Sequence, residues 1–297
     1  MIPASSRDAS FGGPASVSLI VATTGRWRAL RRLISSVSDS PTQSVEVIVV
    51  EQKTNESEPN DGHPTAIQIA ADGIRVRHVL APVGLSIARN VGLEMATGDI
   101  VGFPDDDCWY PPDVVARVAS WFREHPEFEG LCGRLVDERG GGAGARWARR
   151  PGRITTHSAA RKACSATIFM RRRLFDALGG FDETLGLGAP TPWQSGEETD
   201  LVLRALQSGA QLFYEPSLTI GHPARVGLSV EERRRRARSY GRGYGRVMRL
   251  HRFPYHRVGW ELLRPAGRIL YWLAGRKDGT GDIAIETVRG RWEGWRR

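Results

Sequence analysis

Three consecutive carboxylates are the residues of this sequence whose spacing most directly suggests chemistry. Asp105, Asp106 and Asp107 follow an apolar run, IVGF, that is typical of a buried strand, and two prolines come soon after them. Two carboxylates separated by one residue point the same way at an extended strand end, so Asp105 and Asp107 are placed to share a cation. Mg²⁺ and Mn²⁺ prefer such oxygen ligands and bridge to substrate phosphates. The alternative is a turn of solvated aspartates, since no adjacent basic residue neutralises them.

Polar side chains also follow two earlier predicted strands. The run VSLIVATT, residues 17–24, ends on Thr23 and Thr24, and the run VEVIVVEQ (Val45–Gln52) carries Glu51 near its end. In open parallel sheets, ligands bind beyond the carboxyl ends of the strands, near the point where the strand order reverses. If these strands are neighbours of the strand before Asp105, all three polar groups converge on one crevice.

The elements that position these groups alternate between strands and helices. Strand-length runs that are apolar on both faces, separated by amphipathic helical patterns, predict an α/β fold with a mostly parallel central sheet flanked by helices. The further predicted elements are an edge strand at 74–80, a helix at 86–96, a strand at 99–103, a helix at 112–125, strands at 130–136 and 165–170, helices from 172 and 197, and a short strand at 211–214.

Four motifs in the right order resemble the family 2 glycosyltransferases, whose nucleotide-sugar-binding fold is called GT-A, over residues 17–229. SLIVATTGRWRALRRLISSV resembles the opening strand and helix, and VEVIVVEQ resembles the second strand. GLSIARNVGLEMATGDIVGFPDDD resembles the segment that leads into the aspartate-any-aspartate motif, and GEETDLVLR resembles the late acidic motif. The resemblance implies an inverting transfer of a sugar from a nucleotide-diphospho-sugar to a hydroxyl acceptor, with Mn²⁺ or Mg²⁺ as cofactor. It also implies a role in cell-surface polysaccharide or glycolipid synthesis.

The resemblance and the residue chemistry together assign donor-binding and metal-binding groups. The residues expected to bind the nucleotide-sugar are Thr23, Thr24, Arg28, Glu51, Arg89, Asn90, Asp105 and Asp106. Glu51 stands where the family more often has an aspartate that contacts the nucleobase. Arg89 suits a diphosphate because its planar fork donates in pairs, although it is also compatible with a surface position on an amphipathic helix. Asp107 and Asp105 are the expected metal ligands, with His222 either a third ligand or a cap on the sheet.

The late acidic motif implies the catalytic base. This chain has Glu197-Glu198 where the family reads Glu-Asp, so we predict Glu198 as the base, ahead of Glu197. Both acids open a predicted helix, where the macrodipole favours negative charge by about 0.3–1 kcal/mol, so a purely structural role is the alternative. The expected acceptor-binding residues are Asp200, Trp193 and Trp109. Aromatic faces stack on sugar rings, but tryptophan is equally at home in a core.

The positive charge of the 297-residue chain is concentrated at its C-terminal end. The formal net charge is +9, yet residues 225–297 hold 19 Lys+Arg against 7 Asp+Glu, leaving 23 against 26 in the rest. A Ser229–Glu232 capping box opens an arginine-rich helix with an apolar stripe, which three glycines at 241, 243 and 245 should weaken. A basic amphipathic segment predicts binding to an anionic membrane surface, or a helical cap on the catalytic domain. The acidic crevice argues against nucleic acid as a partner.

These patterns predict an N-terminal tail at 1–15, a catalytic domain at 16–228 and a basic helical extension at 229–297. No basic segment followed by an apolar stretch opens the chain, which leads us to expect a cytoplasmic protein, peripheral on the inner face of the membrane. Three cysteines at no metal-ligand spacing predict free thiols. The alternative functions are an inactive family relative acting as a scaffold and a nucleic-acid-binding protein that uses the arginine-rich tail.

Overall fold

The computed structural model describes residues 15–38, 45–53, 74–143, 147–224, 227–265 and 280–297. Within them the strands are β1 (Val17–Thr23), β2 (Val45–Gln52), β3 (Arg75–Ala81), β4 (Ile100–Gly102), β5 (Gly130–Val136), β6 (Gly152–Arg153), β7 (Ile168–Arg171) and β8 (Leu212–Gly221). The helices are α1 (Trp27–Ser38), α2 (Leu85–Met95), α3 (Val114–Glu124), α4 (Ala159–Lys162), α5 (Arg172–Leu178), α6 (Glu197–Gln207), α7 (Val230–Leu250), α8 (Tyr255–Leu263) and α9 (Thr280–Arg296).

The strands form one sheet in the order β3-β2-β1-β4-β7-β5-β8-β6. The first four in this order pair in parallel, as do β5 and β8, whereas β7 runs antiparallel between β4 and β5. From β1 the chain moves outward through β2 to β3 and then returns to place β4 on the other side of β1. The strand order therefore reverses at β1, and the ends of β2, β1 and β4 are neighbours, as predicted.

Both faces of the sheet are covered, which explains the apolar character of its central strands. On β1, Leu19 and Val21 pack into a core with α1 and α3, while Ile20 packs into the opposite core with α2 and α6. All three side chains are at most 1% exposed. β3 lies at the edge of the sheet and alternates between more and less exposed positions, as its sequence pattern predicts.

Two strand predictions were wrong in their extent. Residues Ser165–Thr167 form a 3₁₀ turn, not the start of a strand, because Thr167 donates both its backbone N–H and its hydroxyl to the carbonyl of Cys164. Such local bonds compete with the sheet ladder. β8 runs past Tyr214 to Gly221 despite Pro216, since the register shifts between Cys132 and Arg134 on β5 and leaves Pro216 out of the pairing.

The C-terminal helices pack on the part of the chain that precedes them and against each other. α7 is continuous through its three glycines, and the expected weakening of this helix stays a prediction. A Cβ at Gly245 would lie 2.2 Å from the Arg291 carbonyl oxygen, and one at Gly294 would lie 2.0 Å from the Arg242 carbonyl oxygen. The glycines thus let α7 and α9 approach closely, with their backbones in contact.

The remaining expectations concern the N-terminal tail, the membrane and the cysteines. The predicted tail lies almost entirely outside the described residues. In the part of the chain that the structure describes, no helix has the length and apolar character needed to cross a membrane. The three cysteines are free thiols, as predicted, and Cys108 and Cys132 are buried.

Candidate active site

A cavity of about 1290 Å³ opens where β1 and β4 end, and most of the predicted site residues border it. Those residues are Thr23, Thr24, Arg89, Asp105, Asp106, Asp107, Glu197, Glu198 and His222. They come from the ends of three strands, from the first turn of α6 and, in the case of Arg89, from α2. Sequence reasoning therefore placed the crevice correctly, because neighbouring parallel strands deliver their carboxyl ends to the same edge of the sheet.

Asp106 anchors the carboxylate triplet and is not a solvated turn residue. Its side chain is only 2% exposed and accepts a 2.7 Å hydrogen bond from the Thr23 hydroxyl. Burial raises the pKa of Asp106 to about 6, although the positive charge of Arg26 acts in the opposite direction. The middle carboxylate is thus fixed to the end of β1, which leaves Asp105 and Asp107 on its two sides at the cavity.

Arg26 is the site residue that sequence reasoning missed. Its Nε donates to Asp106 Oδ2 at 3.1 Å and a second nitrogen reaches the other oxygen of the same carboxylate, while its Nη1 donates to Asp107 Oδ2 at 2.8 Å. One planar guanidinium therefore compensates two of the three adjacent charges. The predicted arginine of this region, Arg28, is exposed on α1 and does not line the cavity. The sequence feature that could have identified Arg26 is its position two residues beyond Thr24, in the turn that ends β1.

Arg89 joins the aspartates to the acidic motif of α6. Its side chain is 2% exposed, with Nη1 at 3.0 Å from Glu197 Oε1 and Nη2 at 3.7 Å from Asp105 Oδ1. The guanidinium also lies 5.2 Å from the centre of the Phe181 ring. The surface alternative for this arginine is therefore wrong, and its charge is held between two carboxylates at the floor of the cavity.

Glu197 and Glu198 sit in different environments at the start of α6. Gly196 precedes them with a φ of 96°, a conformation that side chains rarely adopt, and a Cβ there would lie 2.9 Å from Val247. Glu197 is buried and paired with Arg89. Burial, reinforced by the neighbouring charge of Glu197, raises the pKa of Glu198 to about 8. Two adjacent carboxyl groups with environments this different are suited to separate roles, one structural and one that accepts a proton.

The residues around Asp107 fit a hard divalent cation. His222 Nδ1 lies 2.9 Å from the Pro223 carbonyl oxygen, which only accepts, so Nδ1 carries a hydrogen and directs Nε2 towards Asp107. Nε2 lies 3.4 Å from Asp107 Oδ1, a buried atom that accepts no hydrogen bond from the described residues. A carboxylate oxygen and an imidazole nitrogen are both able to ligate a divalent cation.

The thiol of Cys108 also lies close to Asp105 and Asp107. Ligand atoms of Asp105, Asp107 and Cys108 all lie within 4.8 Å of one another. Burial raises the pKa of the Cys108 thiol well above its usual range, so it stays protonated and is a poor ligand. The oxygens of Asp105 and Asp107 suit Mg²⁺ or Mn²⁺, and the His222 nitrogen lies beside Asp107.

Besides Arg28, two other predicted donor-binding residues do not line the cavity. Glu51 lies 2.9 Å from the Nε2 of His78 on the neighbouring edge strand, and Gln52 lines the cavity in its place. Asn90 accepts from the Phe181 backbone N–H and donates to the carbonyl of the same residue, which holds the turn after α5. Side chains alternate along a strand, so only one of two adjacent residues on β2 faces the cavity.

The three predicted acceptor residues also lie elsewhere. Trp109 packs on Gly221 beneath Arg32, whose guanidinium is 3.8 Å from the ring centre. Trp193 borders a separate cavity of about 360 Å³. Asp200, 3% exposed, is bonded to Arg204 and His251 inside the fold. The main cavity is also lined by residues of α7 and α9 and by Arg264, which sequence reasoning did not connect to the site.

This fold and site belong to a known family. The family model described as Glycosyl transferase family 2 matches residues 18–179, more than half of the chain. The chain is therefore a member of the family 2 glycosyltransferases, and the resemblance seen in the motifs is confirmed.

Curated relatives agree with that assignment. The pre-mycofactocin glycosyltransferase of Mycobacterium tuberculosis is 28% identical over 227 residues, which cover 71% of this chain and 43% of that protein. The glucosyl-dolichyl phosphate glucuronosyltransferase of Haloferax volcanii is 23% identical over 156 residues, covering 47% of each. The matched regions thus span less than half the length of these relatives.

Solved structures of other proteins have the same fold as this chain. The mannosyltransferase PcManGT from Pyrobaculum calidifontis, in complex with GDP-Man and Mn²⁺, superposes with a TM-score of 0.65 at 15% identity, covering 95% of this chain and 88% of that one. S. aureus TarS 1-349, in complex with UDP-GlcNAc, gives a TM-score of 0.62 at 15% identity, covering 93% and 91%. The predicted GT-A fold is confirmed.

Proposed function

We propose that this protein is an inverting, metal-dependent glycosyltransferase that moves a sugar from a nucleotide-diphospho-sugar to a hydroxyl acceptor. The observation that carries the proposal is the single cavity bordered by Asp105–Asp107, by the Arg89–Glu197 pair and by Glu198. It offers what direct displacement needs: positive groups and metal ligands for a leaving diphosphate, and a carboxyl group to accept a proton beside them.

The reaction exchanges one bond to the anomeric carbon for another. The acceptor oxygen attacks that carbon, the bond from the carbon to the diphosphate oxygen breaks, and the acceptor proton passes to Glu198. The products are the glycoside with inverted configuration and a nucleoside diphosphate. Proton removal by a positioned carboxylate contributes about 10²–10⁴-fold to the rate.

The residues of the cavity would divide this work. Glu198 has to be ionised to act as a base, and its pKa of about 8 means that this occurs only near or above neutral pH in the empty site. Asp107, Asp105 and His222 would hold a divalent cation, which stabilises the charge that develops on the leaving diphosphate. Arg89 holds Glu197 and the first turn of α6 in place, so that Glu198 keeps its position.

The relatives support the substrate classes in this proposal. Two structural neighbours hold GDP-Man with Mn²⁺ and UDP-GlcNAc, which favours a nucleotide-diphospho-sugar donor and a divalent metal here. The name of the archaeal relative includes a dolichyl phosphate glycolipid, which favours a lipid-linked or cell-surface saccharide acceptor over a soluble protein.

A thermal-shift panel of nucleoside diphosphates, with and without Mn²⁺, tests the donor and metal roles. A ligand present at 100 times its Kd stabilises the native state by about 2.7 kcal/mol, so the right nucleotide should raise the melting temperature only when Mn²⁺ is added. Asp107→Asn should abolish the Mn²⁺-dependent part of the shift. Asp113→Asn, a change at an exposed aspartate outside the cavity, is the matched control and should keep it.

Turnover separates an enzyme from an inactive scaffold. Donor hydrolysis or transfer is measured with the nucleotide-sugar whose diphosphate gives the largest shift, with the wild type and Glu198→Gln. Release of nucleoside diphosphate by the wild type alone supports the enzyme. Binding by both proteins without release by either would favour the scaffold.

A further inference from the structure

The C-terminal helices supply a chemically distinct part of the cavity lining. Arg236, Tyr240 and Tyr244 of α7 line it together with Arg264, which follows α8, and Arg291 of α9. We call these five residues the basic wall. In the described part of the chain before α7, by contrast, the cavity is bordered by five carboxyl groups and by two arginines that are paired with them.

The basic wall adjoins the proposed catalytic base. Ser195, three residues before Glu198, donates its hydroxyl to the Tyr240 carbonyl oxygen at 3.0 Å. Gly243 lies so close to Ser195 that a Cβ there would be 2.1 Å from the Ser195 carbonyl oxygen. An acceptor whose hydroxyl lies at Glu198 therefore has the basic wall beside it.

Arg236 carries an uncompensated charge at the cavity. Its guanidinium donates to the Tyr240 hydroxyl at 2.6 Å and lies 4.8 Å from the centre of that ring, but it forms no ion pair with any described residue. Its Nε has no acceptor. The preceding residue, Arg235, points elsewhere and pairs with Glu231 at 3.5 Å. Arg236 is therefore held in position by the Tyr240 side chain, which is not a carboxylate, and its positive charge has no described counter-ion.

The other two arginines share a single carboxylate. Arg291 Nη1 and Arg264 Nη1 lie 3.4 Å and 3.6 Å from Glu261 Oε2, so the trio keeps a net positive charge. Arg291 is only 8% exposed and its Nε has no acceptor among the described residues. It lies 5.1 Å from the centre of the Tyr244 ring, and burial raises the pKa of Tyr244 to about 12, so this phenol stays neutral. The wall offers planar cationic forks and phenols, which suit a planar or phosphoryl anion.

We infer that the acceptor carries an anionic group, a carboxylate or a phosphate ester, which binds to the basic wall while the acceptor hydroxyl lies at Glu198. The acceptor role rests on the proposed function, because it is that function which places a hydroxyl at Glu198. The anion site itself depends only on the geometry and charge of the wall. Carboxylate and phosphate share this recognition chemistry, and the experiment separates them.

Calorimetric titrations with phenyl phosphate, benzoate and phenol test the inference on the full chain. They are carried out with Mn²⁺ and a saturating concentration of the nucleoside diphosphate that gives the largest thermal shift, so that the diphosphate site is already filled. At least one of the two anions should bind more tightly than phenol, and the tighter one identifies the class. Added salt should weaken this binding.

Arg236→Gln should weaken anion binding by at least about tenfold, the effect of losing one charge-assisted hydrogen bond. Arg264→Gln should weaken it as well. Arg235→Gln is the matched control, since this side chain is 76% exposed and lies outside the cavity, and it should leave binding unchanged. The Mn²⁺-dependent nucleotide shift should be the same in all three variants, which shows that each is folded.

Two results would overturn the inference: anions that bind no better than phenol, and equal binding by Arg236→Gln and Arg235→Gln. Failure of the proposed function has a different signature, because no nucleoside diphosphate would then shift the wild type. In that case the titrations are repeated without nucleotide, and the comparison of Arg236→Gln with Arg235→Gln still decides whether the anion site exists.

Discussion

The cavity has two walls that are built by different means. The acidic wall, Asp105–Asp107 with Glu197 and Glu198, comes from a strand end that the pairing of β1 with β4 positions and from a helix start that the Arg89–Glu197 pair holds beside it. The basic wall comes from helices held together by backbone contacts at glycines. Strand register and a buried ion pair fix the first, and close helix packing fixes the second. The segments that carry the acidic wall can be recognised from local motifs, whereas the basic wall forms only where α7 and α9 pack together.

The difference between the two walls extends to their charges. Beside the acidic wall, the two arginines Arg26 and Arg89 are each paired with carboxylates. The chemistry of the acidic wall therefore depends on its carboxyl groups and a cation. On the basic wall Arg236 has no carboxylate partner among the described residues. If the walls serve the donor and the acceptor separately, changes to one should spare the binding that belongs to the other.

Glu198→Gln should have the largest effect, because it removes the proposed base without removing an ion pair. We expect transfer to fall by about 10²–10⁴-fold while nucleotide binding is kept. Initial rates at saturating donor measure this loss. A variant that retains most of its activity would exclude Glu198 as the base.

Glu197→Gln is the contrasting change at the next residue. It leaves the buried guanidinium of Arg89 without its 3.0 Å partner, and breaking a buried pair in this way costs about 3–5 kcal/mol of folding stability. Chemical denaturation should therefore show a large loss for Glu197→Gln and little or none for Glu198→Gln. Equal losses would mean that the two acids do not have separate roles.

Gly243→Ala tests how far the acidic wall depends on the helices. A Cβ at this position would meet the Ser195 carbonyl oxygen at 2.1 Å, so α7 or the segment before Glu198 has to move. Overpacking of this kind costs about 1–3 kcal/mol, and a misplacement of about 1 Å can cost about 10²-fold in rate. Both the melting temperature and the transfer rate should fall.

Gly259→Ala is the matched control within the same C-terminal region. Gly259 lies inside α8, and a Cβ there would meet nothing within 4 Å. Alanine is favoured over glycine in a helix by about 0.5–1 kcal/mol, so this variant should be as stable as the wild type or slightly more so. If both variants behave alike, the contact between Gly243 and Ser195 does not position the site.

These contacts also show where sequence reasoning succeeds and where it stops. The convergence of Thr23 with Asp106 was predictable, because β1 and β4 each end in polar residues and their parallel ends share one edge. Arg26 was not, because a long flexible side chain can reach many partners. Trp109 illustrates the opposite error: its type suits a sugar platform, but it packs on Gly221 outside the cavity, and no local pattern reveals that contact.

The pH dependence of stability gives a subtler test of Glu198. Its pKa is about 8 in the folded protein and near 4.5 when exposed, so between these values the folded state binds more protons than the unfolded state. Stability contributed by the neutral carboxyl is therefore full below pH 4.5 and is lost as the pH rises towards 8. Glutamine cannot ionise. With chelator present, Glu198→Gln should melt above the wild type at pH 8, and the difference should vanish near pH 4.5.

The smallest expected effect concerns the surface ion pairs between α7 and α9. Glu293 accepts from Arg242 at 2.6 Å and also from Arg238, and hydrogen bonds from these arginines lower the pKa of Glu293 to about 2. Because the side chains of Arg238 and Arg242 are 41% and 36% exposed, Glu293→Gln should cost no more than about 1 kcal/mol, and only above the folded pKa, where the wild-type carboxylate is ionised. Denaturant midpoints at pH 7 and at low pH measure this. A much larger loss at pH 7 would mean that charge, and not glycine packing, holds the basic wall in place.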